Sequence, residues 1–138
     1  MSTLTQFELS PGTQKSFSKV ITDEEASLFS NLVGGQPSER LAAPFNTIDT
    51  LTQPASHSLL LVGMIGGLLH TGLPGYGSKC VTMQFEFLIP VVSGDRIETV
   101  IRLTHLDPGK RLATFQTDCY NQEKNQVITG QAVMFVPI

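Results

Sequence analysis

Pro54–Gly77 reads PASHSLLLVGMIGGLLHTGLPGYG, and between Ser58 and Thr71 it carries Leu59, Leu60, Leu61, Val62, Met64, Ile65, Leu68 and Leu69. On a helix these side chains point almost all the way round, which predicts a helix buried on every side. Ser56 and Ser58 are the expected caps for the free N–H groups at its start, and Gly72 followed by Pro74 ends it. The 14 residues from Ser58 to Thr71 span only about 21 Å, short of the roughly 30 Å hydrocarbon core of a bilayer. The expectation is a core helix, not a membrane span.

Gly63, Gly66 and Gly67 fall along one side of this helix, with His70 one turn on. Glycines inside a helix cost roughly 1 kcal/mol each relative to alanine, so something is expected to approach closely there. Two readings stay open: a sheet packed tightly against the helix, or a narrow channel that admits a thin ligand.

Working outward, the chain turns to period two after Gly77. Val81, Met83, Phe85, Phe87 and Ile89 share one face of a predicted strand, and Thr82, Gln84 and Glu86 the other. Pro90 and the turn Ser93-Gly94-Asp95 end it. Ile97, Thr99, Ile101 and Leu103 line the next strand, Asp107-Pro108-Gly109-Lys110 makes a tight turn, and Leu112–Tyr120 and Val127–Val136 complete an antiparallel meander. On the other side of the helix, Lys15–Val20 alternates like a short strand. Thr22 with Glu25 forms a capping box for a short amphipathic helix whose apolar side is Ala26, Leu28, Phe29 and Leu32. Gln36–Gln53 has no sustained period, and an irregular stretch of this length more often belongs to a site than to mere connection.

These elements predict a single α+β domain over all 138 residues. The central helix loses all its solvent only if the sheet curls round it or a second subunit covers the remainder, and an antiparallel sheet leaves an edge to protect. A homodimer is expected. The 41% hydrophobic and 15% charged content is that of an ordinary soluble domain, and a formal charge of −3 gives no electrostatic reason to propose nucleic acid or an anionic membrane as partner. The first residues lack the basic start and apolar run of a signal peptide, so the cytoplasm is expected. Cys80 and Cys119 are too few and too far apart for a metal site and read as two buried reduced thiols; no metal or cofactor is implied.

Ile21–Glu25, Pro54–Ser78, Phe85–Pro90, Val92–Ile97 and Thr129–Pro137, taken in this order and spacing, resemble the MaoC-like dehydratases and, within them, the (R)-specific enoyl-CoA hydratases. LIPVVSGDRIE and TGQAVMFVP look like that family's R-P-V-x-x-G-D and final-strand patterns. The resemblance implies a hot-dog fold, a curved antiparallel sheet wrapped round a central helix, and an acyl thioester of coenzyme A or of an acyl carrier protein as ligand. It also implies a catalytic Asp and His after the first helix. Counting back without gaps from His57, which stands where the family writes H-G-M, puts Gly35 at the Asp position, Arg40 at the His position and, on the helix, Gly66 at the family's Ser. Glycine carries no proton-accepting group, and arginine, with a pKa above roughly 12, is no base near neutral pH.

Substitute groups are therefore needed. His57, at the start of the helix, and Asp49, in the irregular segment beside Glu39, form the candidate catalytic pair. Arg40 is suited to a phosphate or carboxylate. Arg40, Ser58, Gly63, Gly66 and Gly67 are the expected substrate contacts, with the glycine side taking the acyl and pantetheine chain. Other readings stand beside this one: a thioesterase using Asp49 and His57, a non-catalytic subunit paired with an active homologue, or a pocket for an unrelated small apolar ligand. His57 also has a plain reading as a buried, hydrogen-bonded core histidine, His70 as a cap or surface residue, and His105 as exposed.

Overall fold

The computed structural model describes residues 9–32 and 55–137. Among the described residues there are seven elements, in order β1 (Gln14–Val20), α1 (Asp23–Leu32), α2 (Ala55–Thr71), β2 (Lys79–Phe87), β3 (Arg96–Asp107), β4 (Leu112–Tyr120) and β5 (Gln126–Phe135). The strands form one antiparallel, curved sheet in the order β1-β3-β4-β5-β2, so the predicted meander occupies its centre and β1 and β2 its edges. The fold is α+β, as expected.

Alternation along β3 and β4 turns Ile97, Thr99, Ile101 and Leu103, with Ala113, Phe115, Thr117 and Cys119, toward the interior. Ile128, Ala132 and Met134 of β5 join them. Against this face α2 sets Leu61, Ile65 and Leu69, one turn apart and fully buried. Each such side chain contributes roughly 1.5–3 kcal/mol relative to exposure, so this stripe fixes the helix on the sheet.

The rest of α2 departs from the expected all-round burial. Leu59 is 42% exposed, and Gly63, Gly67 and Thr71, which continue its row, are exposed as well. The sheet covers one stripe of the helix, and among the described residues nothing covers the opposite one. The helix also starts three residues earlier than predicted, at Ala55, and runs 17 residues. Ser58 consequently lies inside it and is not its cap. The predicted end holds: the N–H groups of Gly72 and Leu73 donate to the Leu68 carbonyl at 2.9 and 3.0 Å. Among the described residues no helix is long and apolar enough to cross a membrane.

Three further expectations are corrected. Leu28 and Leu32 of α1 are exposed, because the helix reaches the body of the fold through Ala26 and Phe29. Cys80 is exposed and only Cys119 buried, since Cys80 lies on the edge strand β2 beside a register shift between Cys80 and Thr82. Val81 and Phe87 on the same edge are exposed too, and Ile89 lies beyond the end of β2.

The start of α1 is tied to the turn between β2 and β3. Ile21 N–H donates to the Asp95 carbonyl at 2.8 Å, and Gly94 N–H returns a bond to the Ile21 carbonyl at 2.7 Å. At the cap itself, Glu25 N–H donates to Thr22 Oγ1 at 3.1 Å, and the Thr22 hydroxyl to Glu25 Oε1 at 3.2 Å. These bonds set where the first turn of α1 stands.

Candidate active site

His57 is the third residue of α2, and the fold buries it to 5% exposure. Among the described residues neither ring nitrogen has a hydrogen-bond partner. An unpaired buried polar group costs about 1–3 kcal/mol, and a native structure rarely keeps one without a reason. Among the described residues, then, nothing satisfies His57 as a hydrogen-bonded core histidine.

Among the described residues the charged group within 4 Å of the ring is Asp23. Its Oδ1 lies 3.5 Å from His57 Nε2, beyond the ordinary N–H···O range but within reach of a side-chain rotation. Asp23 is the first residue of α1, where the helix dipole favours a carboxylate. The Ser93 hydroxyl donates to the same Oδ1 at 2.5 Å. The first turn of α1 and the turn after β2 thus meet at Asp23, which faces the His57 ring in the first turn of α2. Chemically, such an arrangement can accept or donate a proton at a ring nitrogen while the free N–H groups at the start of α2 face a developing negative charge.

The remaining predicted residues are distributed around α2. Ser58 is half-buried next to His57. A Cβ on Gly63 would meet Phe29 of α1 at 3.7 Å, whereas at Gly66 and Gly67 it would meet nothing within 4 Å among the described residues. No described strand presses on these glycines, so among the described residues the side of α2 at Gly66 and Gly67 is open. Asp49, Arg40, Glu39 and Gly35 lie outside the described residues. His70 Nδ1 is 2.8 Å from the Gly66 carbonyl, one turn back, and His105 is exposed.

Sequence reasoning missed Asp23 and Ser93. Asp23 was legible only as a helix first-turn charge and Ser93 only as a turn residue, and no local pattern links either to His57. Among the described residues no three His, Cys, Asp or Glu side chains are gathered as a metal ion requires. A groove of about 240 Å³ on the sheet, lined by Gln84, Phe85, Glu86, Gln116, Thr129, Gly130 and Gln131, contains none of the predicted site residues.

No family model matches this chain. Individual proteins do. An (R)-specific enoyl-CoA hydratase of Rhodospirillum rubrum is 29% identical over 130 residues, covering 94% of this chain and 90% of its own length. The (R)-specific enoyl-CoA hydratase of Aeromonas caviae is 30% identical over 129 residues, covering 94% of this chain and 96% of its own. Among solved structures, the (R)-hydratase from A. caviae involved in PHA biosynthesis superposes with a TM-score of 0.82 at 29% identity, over 94% of this chain and 98% of that one. The likeness covers 94% of this chain, and on it the chain belongs to the (R)-specific enoyl-CoA hydratase family of MaoC-like hot-dog proteins.

Proposed function

We propose that this protein binds an acyl thioester of coenzyme A or of an acyl carrier protein and adds water across its 2,3 double bond, or removes it, using groups other than the family's Asp and His. The observation that carries this reading is His57, buried and without a hydrogen-bond partner among the described residues, at the start of the central helix of a hydratase-family fold. In the hydration direction His57 takes one proton from water, the hydroxyl adds to C3, and the same proton is returned at C2. Asp49 is the carboxylate that orients the water. The N–H groups of the first turn of α2 stabilise the enolate oxygen that forms at the thioester carbonyl. Arg40 pairs with a phosphate of the carrier, Ser58 borders the reacting carbons, and the open side at Gly63, Gly66 and Gly67 receives the acyl and pantetheine chain.

The same reading includes a homodimer. Leu59 on α2 and Val81, Phe87 and Leu88 on and beside the edge strand β2 are exposed apolar side chains, and a free strand edge with an uncovered helix face is what a second copy would cover. The two free cysteines suit the cytoplasm, which keeps thiols reduced.

Incubating the protein with short and medium 2-enoyl-CoA and saturated acyl-CoA thioesters, with products read by mass, tests the reaction. Gain of one water with CoA retained, abolished by His57→Ala and by Asp49→Ala, is the expected result. Release of free CoA would make the protein a thioesterase. No conversion across the panel would overturn the catalytic reading, and isolation from the native cell with a hydratase homologue bound would replace the homodimer by a heteromer. Sedimentation of the purified chain as a monomer would overturn the dimer.

A further inference from the structure

Resting on that reading of His57 as the proton-handling group, we propose that Asp23 and Ser93 are positioning residues that set its tautomer. Asp23 accepts from Nε2–H, so Nδ1 is left without a proton and is the nitrogen that meets water or substrate.

Three observations combine. His57 is more than nine-tenths buried with both nitrogens unpaired among the described residues, so the ring has room for a partner that those residues do not supply. Its Nε2 is the nitrogen that faces a carboxylate oxygen, at 3.5 Å. A carboxylate at neutral pH only accepts, so that nitrogen must carry the proton whenever the two close to hydrogen-bond distance. And Asp23 is itself restrained: the Ser93 hydroxyl holds the same oxygen at 2.5 Å, while the α1 dipole and the backbone bonds between Ile21, Gly94 and Asp95 hold the turn that carries Ser93. Hydrogen bonds that look long before ligand binds commonly tighten in the complex.

Asp23 is 85% exposed, so its variants are expected to keep the fold and can be judged on their chemistry. The test is the long-range nitrogen–proton NMR spectrum of the His57 ring, assigned by its disappearance in His57→Gln, together with hydration kinetics on a 2-enoyl-CoA. The wild type should show the Nε2–H tautomer. Asp23→Asn, which offers an amide N–H in place of a carboxylate oxygen, should shift the ring toward Nδ1–H and lower kcat at least tenfold with KM changed less than threefold. Asp23→Glu should restore part of both, and Ser93→Ala should move them in the same direction as Asp23→Asn by a smaller amount. An Nδ1–H ring in the wild type, or a tautomer and kcat indifferent to Asp23→Asn, overturns the proposal. If the wild type hydrates nothing yet Asp23→Asn still shifts the tautomer, the positioning role stands and the hydration reading falls.

Discussion

Gly130 of β5 and Phe85 of β2 are partners across the sheet, and a Cβ on the glycine would lie 2.6 Å from Phe85 Cδ1 and press on the Gln84 carbonyl oxygen. The edge strand therefore approaches β5 more closely than any side chain at this position allows. A backbone oxygen cannot swing aside as a flexible side chain can, so β2 itself would have to shift. Gly130→Ala should lose about 1–3 kcal/mol or more of stability, the range for an overpacked site. Urea unfolding checks this: a midpoint equal to wild type would mean that β2 yields freely.

The two cysteines should separate cleanly by reactivity. Cys119 is buried on the inner face of β4, within 3.4 Å of the Thr99 hydroxyl, and burial pushes its thiol up to about 11. Cys80 is exposed, with its pKa raised by partial desolvation. Since the thiolate is the reactive form, a thiol reagent at pH 8 should label one site slowly in the native protein and a second only on unfolding. Peptide mapping should place the first label on Cys80; early labelling of Cys119 would contradict its burial.

Much of the fold was legible because the signals involved are local. Thr22 and Glu25 stand three residues apart and bond as a capping box does, Gly72 ends α2, and alternation in β3 and β4 names the inward residues one by one. What escaped depends on neighbours distant in the chain. The apolar ring around α2 said that every side wanted cover, but not that the sheet would supply only the Leu61, Ile65 and Leu69 stripe. At the candidate site the described companions of His57 were not legible: Ser93 lies 70 positions from Asp23, and no periodicity spans that separation. Asp49, the expected partner of His57, lies outside the described residues, and among those described the carboxylate beside the ring comes from α1.

Lys19 and Glu25 join the end of β1 to the first turn of α1, and the Lys19 ammonium, hydrogen-bonded to the Glu25 carboxylate, holds that carboxyl below its ordinary range. A folded-state pKa below the unfolded one means that the pair stabilises the protein above the unfolded value of about 4.3 and stops doing so as pH falls through the lower folded value. The carboxylate is 39% exposed, so screening keeps the contribution under about 1 kcal/mol. Glu25→Gln should therefore unfold at slightly lower urea than wild type at pH 7, and the gap should close on acidification toward pH 3. A gap that widened in acid would reverse the sign of the argument.

Gly66 and Gly67 offer the sharpest division between a glycine kept for packing within the chain and one kept for something outside it. Among the described residues a Cβ at either position meets no atom within 4 Å, and alanine is a better helix former than glycine by about 0.8–1 kcal/mol. Against those residues Gly66→Ala and Gly67→Ala should be neutral or stabilising. If the open side of α2 receives the acyl and pantetheine chain, the added methyl groups take up that space. Both variants should then keep the wild-type circular dichroism spectrum while their affinity for acyl-CoA, measured by calorimetry, falls at least tenfold. Binding that survives both substitutions unchanged would move the acyl chain away from this side of the helix.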